Sequence, residues 1–372
     1  MYDVIVVGGG PVGSRVAIDL AVGGLSVLVL EKRPNFEKHV CCTGLISATC
    51  VNDFHIPSLL TREEFNGVEV VSPSGLSLST YREMPQAYNV KRKDFDAWYA
   101  NEAILVGAEY LNNYHVTDIV KKTDYVEVSC MGTDETFQGK LVVLATGFGG
   151  DLMDKCGLKK SRRWTYGIQG IGHENTLDHL KMFVSRQFSA NSFAWALPID
   201  HERALCGLMT NKKPKEYFAA FQKYLNDNGI VKDIDDIQIR GITVKPSWDI
   251  VADRALAVGD VAGQVKPITG GGIYYGLLCA DLAAETILNA FQEHSLDKEA
   301  LLPYKEEVKA LLKRELKISG FAARVFGMMG NKGIDACFRY AKKHGTLEKL
   351  AATNLPFDWH AETILKIVKR SF

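Results

Sequence analysis

The pattern of apolar and polar residues predicts a chain in which strands and helices alternate. Residues 4–7 are four consecutive β-branched residues that lead directly into glycine, and residues 14–22 then show the spacing of a helix. Residues 95–106 show the same helical spacing. Further predicted strands lie at residues 26–30, 68–72, 126–130, 141–145, 193–197, 204–209 and 255–258. This alternation favours an α/β fold with a parallel sheet.

Three regions of different character follow from this pattern. Residues 160–250 contain alternating segments and aromatic residues, which favour an inserted antiparallel sheet. After about residue 290 the pattern is helical, with apolar faces at 303–320, 321–329 and 334–344 that are interleaved with lysine and arginine. The predicted division is a cofactor domain at 1–65, 90–160 and 245–290, a substrate domain at 66–89 and 161–244, and a C-terminal helical region at 291–372.

A glycine-rich turn after the first strand carries a specific signal. Gly8, Gly10 and Gly13 stand in the register GxGxxG between strand and helix. The first glycine permits the turn, the second lets the backbone approach a pyrophosphate, and the third lets helix and strand pack closely. Glu31 ends the second strand at roughly the 20-residue spacing at which a carboxylate accepts hydrogen bonds from an adenosine ribose. The turn therefore predicts a dinucleotide site for FAD or NAD.

A second glycine-rich segment, ALAVGDVAGQVKPITGGGI, distinguishes these two cofactors. An apolar strand leads to Gly259 and Asp260, and a loop with three consecutive glycines then opens another helix. Asp260 is placed to hold a ribityl chain. Gly271, Gly272 and Ile273 would offer N–H groups to the pyrimidine edge of an isoalloxazine, where negative charge develops on reduction. Because an NAD site has no use for this loop, FAD is the predicted cofactor.

Two more segments are predicted to approach the cofactor. The strand at 141–145 ends in a turn at Gly147, which closes the first mononucleotide-binding half. In the sequence VKRKDFD a helix starts near Phe95, and Arg92 could reach the flavin or its phosphates. A solvated basic run at a helix start is the alternative for Arg92.

Two adjacent cysteines, Cys41 and Cys42, lie in residues 39–47, a stretch that in such folds often crosses near the flavin ring. A thiol there can donate a proton, tune the flavin potential or form a charge-transfer thiolate, and each role needs a perturbed pKa. A buried, inert pair is the alternative, because free cysteine is among the most buried residue types. The sequence leaves both interpretations open.

An aromatic strand that ends in proline predicts a wall of the substrate site. Alternation places Phe193, Trp195 and Leu197 on one face, and Pro198 ends the strand. Such a face suits an apolar substrate, and plain sheet core is the alternative. Phe193, Trp195 and Pro198 are the predicted substrate-binding residues.

Composition and charge narrow the class of protein. The 372 residues are 47% hydrophobic and 24% charged, and 44 basic residues balance 44 acidic ones, so nothing favours a nucleic-acid partner. Eight cysteines form no CxxC pair and no zinc spacing, so no metal is predicted, and reduced thiols fit a cytoplasmic protein. The first strand starts at once, which predicts no cleavable signal peptide. Without an apolar run of ~20 residues, any membrane contact is expected to be peripheral.

The order of these motifs resembles that of the geranylgeranyl reductase family, over residues 1–290. The matching elements are GxGxxG with Glu31, a CxxGL-like element at 41–45, VxRxxFD at 90–96, FxWxLP at 193–198 and GDVAGQVKPITGGGI. The resemblance implies a Rossmann-type FAD-binding domain of the hydroxylase-like flavoprotein group. The family's cysteine maps onto Cys41 or Cys42, because the doublet leaves the register open by one residue. Phe193 stands where the family usually has tyrosine.

The resemblance implies a reductase that saturates C=C bonds of an isoprenoid chain: a geranylgeranyl-type lipid, a diphosphate or a quinone tail. Hydride from reduced flavin would go to one carbon, while a thiol such as Cys42 or an ordered water protonates the other. A single dinucleotide fingerprint leaves the electron donor open between ferredoxin and NAD(P)H.

Three alternatives share the scaffold: an FAD-dependent monooxygenase of aromatic or lipid substrates, a halogenase whose WxWxIP signature has lost its first tryptophan, and a non-catalytic lipid-binding subunit. Apolar residues at 321–328 beside Arg324 would suit contact with a bilayer surface, although ordinary packing faces show the same pattern.

Overall fold

The computed structural model describes residues 1–37, 40–346 and 357–371. Residue 39 of the cysteine-bearing segment, and residues 347–356 and 372 of the C-terminal region, lie outside the described residues. Numbered along the chain, the described helices are α1 (Pro11–Val22), α2 (Ala48–Asp53), α3 (Arg92–Leu105), α4 (Asp151–Lys155), α5 (Pro214–Asp227), α6 (Ile273–Gln292), α7 (Lys298–Met328), α8 (Asn331–His344) and α9 (His360–Ser371).

The strands of the described residues fall into three sheets. In chain order they are β1 (Tyr2–Val7), β2 (Val27–Glu31), β3 (Leu45–Ser47), β4 (Thr61–Phe65), β5 (Gly67–Val71), β6 (Ser77–Tyr81), β7 (Ala87–Val90), β8 (Glu109–Asn112), β9 (Val116–Lys121), β10 (Val126–Cys130), β11 (Thr136–Leu144), β12 (Trp164–His173), β13 (Leu180–Phe183), β14 (Ala194–Pro198), β15 (Arg203–Thr210), β16 (Ile234–Thr243), β17 (Val251–Ala252) and β18 (Ala255–Ala257).

The first sheet is the predicted parallel sheet. Its order is β17-β18-β11-β1-β2-β8, with β10 paired to β11 and β9 paired to β10. Strands β18, β11, β1, β2 and β8 pair with one another in parallel. Strand β17 is antiparallel to β18, and β10 is antiparallel to β11 and β9. Helices α1 and α6 cover it, and Leu20 and Ile287 of these helices are fully buried in one cluster with Ile5 and Leu28 of the strands. This confirms the Rossmann-type domain.

The parallel strands end in register at one edge of this sheet. Val7 pairs with Leu30 on one side and with Leu144 on the other, and Leu144 pairs with Ala257. Because β1 lies between β2 and β11, the connections diverge there, and ligands of α/β sheets bind at such a switch point. The residues at or just beyond these strand ends include the predicted cofactor residues Gly8, Glu31, Gly147 and Gly259.

The second sheet has the order β16-β12-β15-β14-β13-β5-β6. Neighbouring strands are antiparallel, as predicted, except for β13 and β5, which pair in parallel although they come from distant segments. One face buries Ala194 and Ala196 in a cluster with Phe221 of α5. Phe193 and Trp195 point to the opposite face, which confirms the predicted alternation. A smaller sheet, β3-β7-β4, begins directly after the cysteine pair.

The C-terminal region is helical, as the pattern of apolar residues predicts. Residues 303–320 and 321–329 are helical as predicted up to Met328, and both ranges lie in the single helix α7. Buried residues such as Leu312 pack on the core and hold the helix through Gly320, although glycine costs about 0.5–1 kcal/mol in a helix interior. Among the described residues, no helix combines the length and the apolar character required to cross a bilayer.

Candidate active site

The turn after β1 is too tight for side chains at two of its glycines. Gly8 has a φ of +104°, and a Cβ there would lie 2.5 Å from the Ala145 carbonyl oxygen at the neighbouring strand end. A Cβ at Gly13 would overlap the carbonyl oxygen of Gly8. Both glycines are therefore needed for the close packing of β1, β11 and α1.

Gly10 has a different role, because a Cβ there would meet no atom within 4 Å. Its backbone is extended, with φ −77° and ψ 178°, and it is the N-cap of α1 without a side-chain capping bond. The first N–H groups of α1 therefore lie next to open space, which is the arrangement that binds phosphate groups at helix N-termini. The turn fits the pyrophosphate of a dinucleotide.

The carboxylate of Glu31 is buried and is engaged by the chain itself. It accepts hydrogen bonds from the Gly9 amide at 2.8 Å, from the Arg33 amide at 2.8 Å, and from the Arg33 guanidinium at 3.0 and 3.3 Å. A carboxylate offers about four acceptor positions, so a ribose hydroxyl could bind Glu31 only if Arg33 gave up a contact. The ribose contact of Glu31 stays a prediction, and Arg33 joins the site.

Asp96 holds two arginines of this region. Its carboxylate is 1% exposed and lies 2.9 Å from Arg33 Nη1 and 2.8 Å from Arg92 Nε. Arg92 also contacts the sulfur of Cys42 and lines the large cavity beside it. The Arg92 side chain is only 10% exposed, which argues against the alternative that Arg92 belongs to a solvated basic run. Its predicted contact with the cofactor gains support from this position.

The second glycine-rich segment forms a loop that is tied to the second sheet. Gly259 has a φ of +80°, and its amide donates to the side chain of Gln264 at 2.6 Å. Asp260 pairs with Arg240 of β16 at 3.2 Å. A side chain at Gly272 would overlap the carboxylate of Asp260. Asp260 therefore lies between the two sheets and lines the cavity, where a ribityl partner is predicted.

Two further glycine turns lie near Asp260 and Arg240, between the two sheets. Gly147 has a φ of +72°, and a Cβ there would lie 2.8 Å from the guanidinium of Arg240. Gly271 and Gly272 precede α6, which begins at Ile273 without a side-chain cap. The first N–H groups of α6 are thus available to a group with negative charge, as predicted for the pyrimidine edge of a flavin.

A cavity of about 490 Å³ lies between this loop and the second sheet, within the 300–1,000 Å³ usual for ligand sites. Its lining includes the apolar side chains of Phe193, Trp195 and Met209. The rings of Phe193 and Trp195 lie 5.8 Å apart, so the predicted aromatic wall faces the cavity. Pro198 pairs with Ala204 at the strand end and lies outside the lining, so its predicted substrate contact gains no support.

Cys41 and Cys42 line the same cavity as separate, free thiols. The Cys41 thiol donates to the carbonyl oxygen of Gln238 at 3.5 Å, and the Cys42 sulfur accepts from the Gly44 amide at 3.4 Å. Burial raises the pKa of Cys41 to about 11, so this thiol is protonated at neutral pH. Of the predicted roles, proton donation therefore suits Cys41 and a charge-transfer thiolate does not.

Several lining residues were not among the predicted site residues: Lys266, Phe357, Asp358 and His360. Lys266 belongs to the predicted flavin loop, but its burial is a property of the folded chain. Asp358 follows Lys266 by 92 residues, and no periodic pattern shows that the chain returns there.

Comparisons with known proteins agree with this geometry. The family model described as lycopene cyclase protein matches residues 3–339. A digeranylgeranylglycerophospholipid reductase of Methanocaldococcus jannaschii is 28% identical over 327 residues, which cover 83% of this chain and 82% of that protein.

Two solved structures share the fold. A geranylgeranyl bacteriochlorophyll reductase-like protein of Thermoplasma acidophilum has a TM-score of 0.86 at 23% identity and covers 98% of this chain and 95% of its own. A flavin-dependent brominase has a TM-score of 0.71 at 20% identity, with coverage of 100% and 98%. At these identities the likeness establishes the fold alone.

Proposed function

Because the chain belongs to the lycopene cyclase protein family and is a flavoprotein of the geranylgeranyl reductase type, we propose that it is an FAD-dependent oxidoreductase that saturates C=C bonds of an isoprenoid chain. The substrate is a geranylgeranyl-type lipid, a diphosphate or a quinone tail. Two relatives that match over 83% and 91% of the chain carry the name of a digeranylgeranylglycerophospholipid reductase, and this favours reduction over hydroxylation, halogenation or a non-catalytic role.

One observation carries the proposal. The second glycine-rich segment (residues 259–273, here the flavin loop), the aromatic face of the second sheet and the cysteine pair line one cavity. An isolated alkene is a poor hydride acceptor, so the reaction needs a double bond held close to the flavin in an apolar space. Phe193 and Trp195 supply that apolar wall beside Ile273 at the start of α6. These residues orient the chain and exclude water.

When bound and reduced, FAD supplies a hydride to one alkene carbon. The second carbon takes a proton, so two hydrogens are added across the double bond. Cys41 holds a proton at its sulfur at neutral pH, and Cys42, beside Arg92, is the second candidate donor. Solvent then returns the proton to the thiol. Reducing equivalents come from a transient donor, NAD(P)H or ferredoxin.

A peripheral contact with a membrane would bring the lipid substrate to the cavity of a cytoplasmic protein. The end of α7 exposes Phe321 by 64% and Met328 by 73%, next to Arg324. Phe326 packs instead against Arg186, with the guanidinium 4.7 Å from the ring centre. The exposed apolar side chains of Phe321 and Met328, together with Arg324, suit contact with a bilayer surface. Co-sedimentation with vesicles should weaken in Phe321→Ser.

The test is anaerobic incubation of the flavin-loaded, dithionite-reduced protein with geranylgeranyl diphosphate and with a membrane lipid extract, read by mass spectrometry. We expect mass gains in steps of two hydrogens. Gly271→Asp should abolish them, since a side chain at Gly271 enters the flavin loop, whereas Gly330→Asp is the matched control because a Cβ at Gly330 meets no atom within 4 Å.

Each other outcome contradicts the proposal in a different way. Oxygen-dependent addition of one oxygen atom would indicate a monooxygenase. Tight binding of lipid without a change of mass would indicate a lipid-binding subunit. An isomeric product of unchanged mass would indicate cyclisation or isomerisation.

A further inference from the structure

A buried lysine lies inside the loop predicted to hold the flavin. The side chain of Lys266 is 8% exposed, and its ammonium group lies 2.7 Å from the carboxylate of Asp358, which is 3% exposed. The end of the lysine side chain passes in front of Gly271, where a Cβ would lie 2.8 Å from Lys266 Cε and 3.4 Å from Nζ. The positive charge is therefore placed at the glycines that precede α6.

The segment that carries Asp358 is held by two helices. The carbonyl oxygen of Asp358 accepts from the hydroxyl of Tyr275 in α6 at 2.7 Å, and the ring of Trp359 lies 5.2 Å from the ring of Tyr275. The carboxylate of Glu315 in α7 accepts from the amide of His360 at 3.1 Å. These contacts fix the segment that carries Asp358 against the flavin loop.

Lys266, Asp358 and His360 all line the cavity. Within the described residues, one carboxylate oxygen of Asp358, Nδ1 of His360 and the hydroxyl of Thr269 are buried without a hydrogen-bond partner, so this end of the cavity is polar. Burial, together with the Lys266 ammonium, lowers the pKa of His360 to about 4, and its imidazole is neutral at neutral pH. A ligand here meets the opposite charges of Lys266 and Asp358.

We propose that Lys266 and Asp358 set the reduction potential of the bound flavin in opposite directions. The inference rests on the proposed FAD site, in which Gly271 and Gly272 meet the pyrimidine edge. Uptake of two electrons and one proton leaves one negative charge on that edge. A nearby ammonium therefore stabilises the reduced flavin and a nearby carboxylate destabilises it, and exclusion of water strengthens both effects.

Through Asp358, the C-terminal segment influences the reduction potential of the flavin. Lys266 belongs to the loop itself, whereas its counter-charge comes from a segment 92 residues further along the chain. With Asp358 in place, the pair contributes little net charge to the flavin. Loss of the carboxylate leaves the ammonium uncompensated and makes the flavin easier to reduce.

The experiment is a reductive titration of the flavin-loaded protein against a dye of known potential, followed by the flavin absorbance and needing no lipid. We expect Lys266→Met to lower the potential and Asp358→Asn to raise it. Each shift should change the ratio of reduced to oxidised flavin by about tenfold, which is ~30 mV for a two-electron couple. Lys266→Arg and the double variant K266M/D358N should lie near the wild-type potential, because each conserves the net charge.

A matched control is the pair Lys140 and Asp3, which also lie 2.7 Å apart but outside the cavity. Lys140→Met and Asp3→Asn should leave the potential unchanged. The proposal would be overturned if Lys266→Met and Asp358→Asn shifted the flavin potential in the same direction, or if neither variant shifted it. If Lys266→Met fails to retain flavin, Asp358→Asn and the double variant decide the case. Failure of lipid reduction with these shifts intact would reject the proposed substrate and leave this inference standing.

Discussion

Gln264 donates a hydrogen bond of 2.8 Å to the buried hydroxyl group of Tyr304. The same hydroxyl donates to the carbonyl oxygen of Ala257 at 2.9 Å, and the side-chain oxygen of Gln264 accepts from the Gly259 amide at 2.6 Å. Since Tyr304 belongs to α7, the long C-terminal helix fixes the start of the second glycine-rich segment, which is predicted to hold the flavin. The helical region is therefore part of the support of the site.

Removal of this hydroxyl in Tyr304→Phe should lower the free energy of unfolding by about 1–3 kcal/mol, because the buried amide of Gln264 loses its acceptor. Urea unfolding of the flavin-loaded protein measures the change. Tyr81→Phe is the control, since Tyr81 is 71% exposed and its variant should stay within ~0.5 kcal/mol of wild type. Equal stability of both variants would show that the link does not stabilise the loop.

Substitution of Gly10 by serine should separate folding from cofactor binding. Gly10 is an N-cap with free space around it, so serine fits the apoprotein and suits the cap. The side chain would nevertheless occupy the place predicted for the pyrophosphate, and FAD should bind at least about tenfold more weakly, a loss of ~1.4 kcal/mol.

Titration calorimetry of the apoprotein with FAD tests this expectation. The control is Gly330→Ser, because Gly330 is also an N-cap without a side-chain capping bond or close neighbours but belongs to α8. If the Gly10 variant binds FAD as tightly as the Gly330 variant, the pyrophosphate does not lie at the first glycine turn.

Alkylation should report the protonation of Cys41. Burial raises its pKa to about 11, and a raised pKa means less of the reactive thiolate at neutral pH. At pH 8 only about one Cys41 in a thousand should be ionised, and the rate with iodoacetamide should increase as the pH approaches 11. Peptide mass spectrometry can follow Cys41 together with the exposed Cys337 as an internal reference. Modification of both at the same rate at pH 8 would exclude a protonated, shielded thiol.

The continuity of α7 predicts that Gly320→Ala stabilises the protein. A Cβ at Gly320 would lie 3.8 Å from Pro267, which is an ordinary contact. Alanine should therefore add about 0.5–1 kcal/mol to the free energy of unfolding, measured by urea denaturation. Gly327→Ala should gain less, because its Cβ would lie 3.2 Å from the carbonyl oxygen of Asn191. A destabilised Gly320 variant would argue for a break in the helix at that position.

The two glycine turns of the candidate site were predictable because their signals are local. Gly8 and Gly13 are required by contacts within one strand–turn–helix unit, so their spacing is visible in the sequence. The aromatic face of β14 was equally predictable, since alternation at period two decides which residues share a face. By contrast, the parallel pairing of β5 with β13 joins distant segments, and the sequence of neither strand indicates which strand it pairs with.

The sequence by itself determined the fold class, the FAD prediction and the candidate cysteines, since backbone conformation and hydrophobic period are set by neighbouring residues. Only the tertiary structure decided that Arg33 engages Glu31, that Asp96 holds Arg92, and that Asp358 pairs with Lys266 across 92 residues. A charge finds its partner through the packing of remote elements. Spacing along the chain shows which residues are neighbours in sequence, whereas burial and charge pairing depend on which residues are neighbours in space.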